Sequence, residues 1–388
     1  MNGNTNTTIC HSDAEVLEKQ VRSLFCILTI VWILVQVGLY MFHGVRFGGD
    51  SGRYIEAGQM IVHGIMPSGK ALGFMGYNLF VAFFMSVGLG LKGIVFGQVL
   101  MSGVAALATY FIAMRLYSHR AGFVAALLFI CFLDLQNWNF YIYTDSLFVS
   151  MTVIALAAIL WAKGSWRILV IVPLVLFAVS IRPNGVILLS AWACYLMILA
   201  WGAGYRKIVV FILLVTAGAG LLVIDPYLSA QREELVVQYA KGIVIWGYDQ
   251  ISVTDVGAIE LLQTDQHVFI ALIQYVFAAP VRVLELFFLK IWYLFLHTRP
   301  FYSTFHNIAI VLCLVPVYIM AVVELCRYKS WSPDKMLLIA VGAFQMLLVG
   351  ATYTDWNGRF LLVILPSVFI FASPVFVKSS EFVWKSRC

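Results

Sequence analysis

Charged residues are scarce in this sequence. They make up 11% of its 388 residues, whereas apolar residues make up 62%, and the mean hydropathy is +0.93. Soluble domains contain about 25% charged and about 45–50% apolar residues. A soluble chain of this length could not bury so many apolar side chains. The composition therefore excludes a soluble globular protein and predicts a protein whose solvent is lipid.

Several chemical motifs are also missing. The seven cysteines form no C-x-x-C pair and no cluster with histidine, so neither a disulfide framework nor a structural zinc site is indicated. No glycine-rich nucleotide-binding loop is present on the predicted cytoplasmic side. The net charge of +6 is not a signal for nucleic acid, because basic residues of membrane proteins mark their cytoplasmic side.

Long apolar runs dominate what is present, and a transmembrane helix needs about 20 such residues. The runs lie near residues 23–42, 71–90, 93–114, 121–137, 145–162, 167–181, 185–201, 207–224, 266–280, 282–298, 307–326, 336–351 and 358–377. Run 71–90 contains four glycines, and counting it as a crossing would place Arg115 and Arg120 outside. We therefore interpret it as a re-entrant or interfacial element.

The predicted fold is an all-α polytopic membrane protein with about twelve transmembrane helices. Residues 1–388 form a single transmembrane domain with both termini inside. Two long outside segments are predicted, residues 43–92 with interfacial helices and residues 225–265. The basic clusters predict a multi-pass protein of a plasma membrane, with a bacterial source favoured by the compact size.

The first of four polar stretches is residues 47–57, just after the first apolar run. Gly48 and Gly49 allow a sharp turn, and Asp50 or Ser51 can cap the helix that follows. Such a helix would lie along the membrane surface and place Asp50 and Tyr54 on one face. The alternative is that Asp50 serves only as a helix cap.

The second and third stretches place one more acid and one cation on the outer side. Asp145 opens an apolar run, and it follows residues 138–143, whose aromatic side chains are interpreted mainly as interfacial belt residues. Arg182 precedes a turn made by Pro183 and Gly185. A helix cap and a snorkelling arginine are the respective alternatives.

The fourth stretch, residues 353–360, opens the last apolar run. Asn357 can cap this helix, which would place Arg359 in its first turn. A helix N-terminus disfavours a cation. A bound phosphate would reverse this, because the free N–H groups and the guanidinium both bind phosphate favourably. The alternative is a surface ion pair between Arg359 and Asp355.

In this order, the four stretches resemble the GT-C superfamily of membrane glycosyltransferases, including protein O-mannosyltransferases and lipid A aminoarabinose transferases. The resemblance covers residues 46–190 and 353–366. It implies a catalytic Asp50, a second acidic residue at Asp145, and donor-phosphate contacts from Arg182, Arg359 and Lys70. Several relatives have Asp-Glu where this chain has Asp50-Ser51.

The resemblance also implies the substrates and the reaction. The donor is a polyprenyl-phosphate-linked sugar within the membrane lipids, the acceptor is a glycan, lipid or protein on the outer, periplasmic face, and nucleic acid plays no part. Transfer is expected to invert the anomeric carbon, with Asp50 as the base. Further candidates for substrate binding are Arg53, Tyr54, Tyr248 and Asp249. For Tyr248 and Asp249, packing of loop 225–265 on the membrane surface is the alternative and is slightly preferred.

No cofactor is expected, and a divalent metal ion between Asp50 and Asp145 is left open. Two other functions remain alternatives. Secondary transporters typically have two related halves and polar sites at the midplane of the membrane, and neither feature is evident in the sequence. A lipid-linked glycan polymerase or ligase would also act outside, but the Gly-Gly-Asp-Ser sequence fits it less well.

Overall fold

The computed structural model describes residues 5–164, 166–214, 241–252, 268–327 and 332–385. The chain divides into two compact units. The first unit comprises residues 1–188, 317–330 and 365–388, and the second comprises residues 189–316 and 331–364. The expectation of a single domain over 1–388 stays a prediction.

The first unit is built from helices. In chain order they are α1 (Thr5–His43), α2 (Ser51–Val62), α3 (Met75–Ser86), α4 (Gly90–Leu116), α5 (His119–Cys131), α6 (Leu133–Asn137), α7 (Thr144–Trp161) and α8 (Arg167–Ile181). Short 3₁₀ turns cover Gly69–Phe74, Trp138–Phe140 and Pro183–Gly185. Helix α4 packs against both α5 and α7, while α2 packs on α3 and α7 packs on α8. Helix α9 (Val186–Gly202) starts in this unit and continues in the second.

The second unit combines helices with one hairpin. Strands β1 (Ile243–Ile245) and β2 (Tyr248–Ser252) pair antiparallel. They are followed by α10 (Val268–Ala278), α11 (Pro280–Leu296), α12 (Thr304–Cys326) and α13 (Pro333–Ala351), and then by a 3₁₀ turn over Arg359–Leu361. Helix α12 begins in this unit, and its residues from 317 onward belong to the first. The last helix, α14 (Leu365–Lys385), belongs to the first unit. A small core of Val244, Ile245, Tyr275 and Leu286 joins the hairpin to α10 and α11.

Six helices of the described ranges are long and apolar enough to cross a membrane. They are Val21–His43, Gly90–Leu116, Thr144–Trp161, Pro183–Gly202, Thr304–Cys326 and Pro333–Ala351. The bent pair His119–Cys131 and Leu133–Phe140, with an angle of 57°, would make a seventh. The helical, polytopic class is therefore as predicted. The number of about twelve crossings stays a prediction, and part of run 207–224 lies outside the described residues.

Run 71–90 forms an interrupted element. A 3₁₀ turn over Gly69–Phe74 leads into α3, which has only 12 residues. At 1.5 Å per residue such a helix is about 18 Å long, shorter than the roughly 30 Å hydrocarbon core of a bilayer. The re-entrant or interfacial placement of this element stays a prediction that its length favours.

Candidate active site

Asp50 stands at the N-cap position of α2, but its side chain makes no capping hydrogen bond. Instead, the hydroxyl of Tyr143 donates to its Oδ2 at 2.5 Å, and its Oδ1 lies 3.3 Å from the guanidinium of Arg53. The Asp50 side chain is still 40% exposed. The carboxylate is thus held from two sides and remains accessible to a substrate.

Ser51 ties the first polar stretch to the second. Its hydroxyl accepts a hydrogen bond from the Gly48 amide at 2.7 Å and donates to the carbonyl of Ile142 at 2.8 Å. The Arg46 amide also donates to the carbonyl of Phe140 at 2.8 Å. The structure therefore brings together two stretches that are more than 80 residues apart in the sequence.

Tyr54 lies one helical turn after Asp50 and packs among aromatic rings. Its side chain is only 1% exposed, and its ring makes edge-to-face contacts with the rings of Tyr77 at 5.1 Å and Tyr143 at 5.6 Å. Burial, and next the nearby negative charge of Asp50, raise the pKa of Tyr54 above its ordinary value. Its hydroxyl therefore stays protonated near neutral pH.

Asp145 and Arg182 form a buried ion pair. Asp145 lies in the first turn of α7 and is 1% exposed, and Arg182 follows the last residue of α8 and is 8% exposed. The guanidinium also lies 5.5 Å from the centre of the Phe148 ring. The charges of both residues act on Tyr54. The predicted residues Asp50, Arg53, Tyr54, Asp145 and Arg182 are therefore one cluster in the first unit.

Lys70 lies on the Gly69–Phe74 turn, and it is exposed. The turn packs against the residue that follows Arg182, because a Cβ on Gly73 would lie 3.3 Å from Cγ of Pro183. Lys70 is consequently the predicted cation with the most open access to solvent in this unit.

A buried network of amide side chains supports the cluster, and the sequence analysis missed it. Oε1 of Gln136 accepts hydrogen bonds from Gln36 at 2.8 Å and from Ser102 and Asn139 at 3.0 Å each. Gln98 donates to the carbonyl of Asn139 at 2.8 Å. Polar side chains within apolar runs usually have a specific role, and this was the signal that could have found them.

The interpretation of residues 138–143 as mainly belt aromatics needs correction. Trp138 is 9%, Phe140 1% and Tyr143 7% exposed. Their rings pack inside the first unit because the amide network and the backbone bonds to Arg46 pull this segment inward.

The fourth stretch lies in the second unit and is organised by Asp355. Its carboxylate accepts the backbone N–H groups of Asn357 at 3.1 Å, Arg359 at 2.9 Å and Phe360 at 3.0 Å. Asp355, and not Asn357, therefore caps this turn, since an ionised carboxylate offers two acceptor oxygens to several donors. Arg359 also lies in the 3₁₀ turn that precedes α14 rather than in the first turn of that helix.

The side chain of Arg359 is paired locally. Its Nε lies 3.4 Å from Oδ2 of Asp355, and the Arg359 side chain is 20% exposed. This is the ion pair that the sequence analysis named as the alternative to an anion site. A role for Arg359 in binding the donor phosphate stays a prediction.

Arg299 is the main residue of this region that sequence reasoning missed. It is 1% exposed, and its guanidinium donates to the carbonyls of Tyr293, Thr298, Asp355 and Trp356 at 2.9–3.1 Å. Burial lowers the pKa of Arg299, and the charge of Asp355 opposes this shift. Arg299 thus fixes the backbone that carries Asp355.

Only residues 241–252 of the predicted outside loop 225–265 are described. The ring of Tyr248 lies 5.7 Å from that of Phe301 and 6.0 Å from that of Trp356, so it packs on an aromatic pair that is itself stacked at 3.9 Å. Asp249 belongs to β2, but its side chain is not among those that the structure describes. A substrate role for Tyr248 or Asp249 stays a prediction.

The hairpin is joined to the fourth stretch by backbone hydrogen bonds. Trp246 donates to the carbonyl of Thr354, and Thr354 donates to the carbonyl of Val244, both at 2.9 Å. The described part of the loop therefore supports residues 353–356.

Within the described ranges, no group of three or more His, Cys, Asp or Glu side chains could hold a metal ion. Asp50 and Asp145 are instead each engaged by a neighbouring cation or hydroxyl. This geometry gives no support for a divalent ion between Asp50 and Asp145.

Comparison with known proteins finds similarity among solved structures. No protein-family model matches the sequence, and no curated protein matches it. The chain is similar to the crystal structure of ArnT from Cupriavidus metallidurans in the apo state, with 14% sequence identity and a TM-score of 0.46. The alignment covers 96% of this chain and 62% of ArnT, so this chain spans less than two thirds of the length of that relative.

At this identity and TM-score the likeness carries no argument about function.

Proposed function

We propose that this chain is a membrane glycosyltransferase that moves a sugar from a polyprenyl-phosphate donor to an acceptor on the outer face of the membrane. The observation that carries the proposal is the arrangement around Asp50. An accessible carboxylate is oriented by Tyr143 and Arg53 at the start of α2. The buried pair of Asp145 and Arg182 lies in the same cluster.

In this proposal Asp50 is the general base. The acceptor hydroxyl is a poor nucleophile near neutral pH, and a positioned carboxylate can remove its proton as attack begins. The acceptor oxygen forms a bond to the anomeric carbon while the bond from that carbon to the phosphate oxygen breaks. Attack from the opposite side inverts the anomeric carbon, through an oxocarbenium-like transition state.

Asp145 is less suited to be the base because it is buried and paired with Arg182. We assign the pair to the wall of the donor site, where it keeps a cation in place without leaving a bare charge in the protein interior. This assigns Asp145 a role in holding Arg182 rather than in proton transfer.

The leaving phosphate gains negative charge as the bond breaks, so cations that face it stabilise the transition state. Lys70 is the strongest candidate because it is exposed on a turn that packs against Pro183, the neighbour of Arg182. Arg182 remains a candidate on the strength of its sequence position.

Donor binding tests the proposal. The purified protein in lipid nanodiscs is titrated with a polyprenyl-phosphate hexose and, as a control ligand, with the same polyprenol lacking phosphate and sugar. We expect saturable binding of the phosphate lipid only. Because one charge-assisted contact is worth about 1.5–3 kcal/mol, Lys70→Ala should weaken binding by about tenfold or more.

Lys92→Ala is the matched control, since Lys92 is also exposed and belongs to the same predicted outside region. We expect it to bind the donor like the wild type. A wild type that binds the phosphate lipid no better than polyprenol would overturn the proposal and favour the transporter alternative.

A further inference from the structure

Tyr143 occupies the junction between the two polar stretches of the first unit. It directly precedes α7 in an extended conformation, with φ −152° and ψ 155°. Its side chain is 7% exposed, yet its hydroxyl lies 2.5 Å from Oδ2 of the accessible Asp50. A buried donor is thus directed at the one carboxylate of the cluster that a substrate can approach.

The backbone that carries Tyr143 is fixed on the preceding side. The Ile142 amide donates to the carbonyl of Arg46 at 3.0 Å, and the Ile142 carbonyl accepts from Ser51 at 2.8 Å. Gln98 donates to the carbonyl of Tyr141 at 2.8 Å. Tyr143 therefore has little freedom to follow a movement of Asp50.

The ring of Tyr143 is equally confined. A Cβ on Gly48 would lie 2.7 Å from Cε2 of this ring. Only glycine at position 48 therefore leaves room for the ring. The rings of Tyr54 and Trp138 pack against it at 5.6 and 5.8 Å. The hydroxyl is presented to Asp50 from a rigid support.

The second partner of Asp50 is a weaker constraint. Arg53 lies 3.3 Å from Oδ1, and its side chain is 32% exposed. An exposed ion pair is screened by water and salt and orients its partners poorly, whereas a short hydrogen bond to an ionised oxygen is strong and directional. The orientation of the carboxylate is therefore determined mainly by Tyr143.

From this geometry we infer that Tyr143 is a positioning residue, whose hydroxyl holds the Asp50 carboxylate so that its free lone pairs face the acceptor hydroxyl. The inference rests on the proposed function. As the acceptor oxygen bonds to the anomeric carbon, its proton passes to Asp50, and the phosphate leaves with the electrons of the broken bond. Tyr143 keeps its own proton and contacts neither substrate.

Replacement of Tyr143 by phenylalanine tests the inference because it removes only the hydroxyl. Release of polyprenyl phosphate from a labelled polyprenyl-phosphate sugar is followed in membranes that contain native acceptors, and the readout is independent of the acceptor's identity. We expect Tyr143→Phe to lower kcat by about ten- to a hundredfold, as for loss of one charge-assisted hydrogen bond, with KM for the donor unchanged.

The division of the effect between kcat and KM gives a readout that separates positioning from a structural role. Loss of the hydrogen bond to Asp50 should lower kcat alone, whereas a structural role would also lower donor affinity and thermal stability. Tyr141→Phe is the matched control, since Tyr141 lies two residues away and packs its ring on Arg46. It should retain the wild-type kcat and the wild-type KM for the donor.

The possible results separate this inference from the proposed function. If the wild type releases no polyprenyl phosphate, the proposed function itself fails. If the wild type is active and Tyr143→Phe keeps the wild-type kcat, the positioning role is wrong. If Tyr143→Phe loses both thermal stability and donor affinity, Tyr143 is a structural residue and the inference is likewise wrong.

Discussion

At the scale of single residues, the sequence identified charges more easily than their partners. Asp50, Asp145 and Arg182 stood out because ionisable groups near apolar runs are costly, and the structure brings them into one cluster. Tyr143 could not be singled out, because an aromatic residue beside an apolar run is typical of a membrane interface. Its contact with Asp50 joins positions 93 residues apart.

The buried pair gives a prediction about stability. Arg182→Ala should lower the free energy of unfolding by about 3–5 kcal/mol, because it leaves Asp145 buried without its cation. The double variant Asp145→Asn with Arg182→Ala should recover part of the loss. Arg53→Ala is the control, since the exposed pair of Arg53 and Asp50 is worth only about 0–1 kcal/mol. Equal unfolding temperatures for Arg182→Ala and Arg53→Ala would contradict the burial of the pair.

At the scale of elements, close approach of helices places the cluster. Gly76 on α3 faces the end of α8, where an added Cβ would lie 2.9 Å from the amide nitrogen of Ile181. Arg182 is the next residue. The glycines of run 71–90 indicated an interrupted element from the sequence alone, but the helix they pack against could not be predicted, since one sequence does not show which helices are neighbours.

Gly76→Ala should therefore displace the end of α8. Overpacking of this kind costs about 1–3 kcal/mol, and we expect a lower unfolding temperature together with weaker donor binding, because Arg182 moves with the backbone. Gly52→Ala is the control: Gly52 is also helical, but nothing lies within 4 Å of its added Cβ. A stability of Gly76→Ala that equals that of Gly52→Ala would contradict the close contact between α3 and α8.

At the scale of the whole molecule, hydropathy predicted the class of protein but not every crossing. Long runs gave clear helices such as Gly90–Leu116 and Thr304–Cys326. Runs 167–181, 266–280 and 282–298 gave helices of 15, 11 and 17 residues, whose length alone does not decide whether they span. The orientation still depends on the positive-inside rule.

Cysteine labelling tests that orientation. Free cysteines, including Cys26, Cys131, Cys313 and Cys326, are first replaced by serine, and single cysteines are introduced at Ser118 and Ser303. A membrane-impermeant maleimide added to intact cells should label Ser303→Cys but not Ser118→Cys, because the basic clusters predict that residue 118 lies inside. Labelling of Ser118→Cys from outside, or failure at Ser303→Cys while lysed cells are labelled, would contradict the predicted topology.

The most direct test of the central claim is turnover by the wild type and by Asp50→Asn. Release of polyprenyl phosphate is measured in membranes with native acceptors, together with donor binding by each purified protein. We expect Asp50→Asn to lower the turnover rate by about 10²–10⁴-fold, which is the contribution typical of a general base, and to retain donor binding. Glu285→Gln, which disrupts an exposed pair with Arg282 of the same i,i+3 spacing, should release polyprenyl phosphate at the wild-type rate. A wild type without turnover, or an Asp50→Asn variant as active as the wild type, would contradict the account.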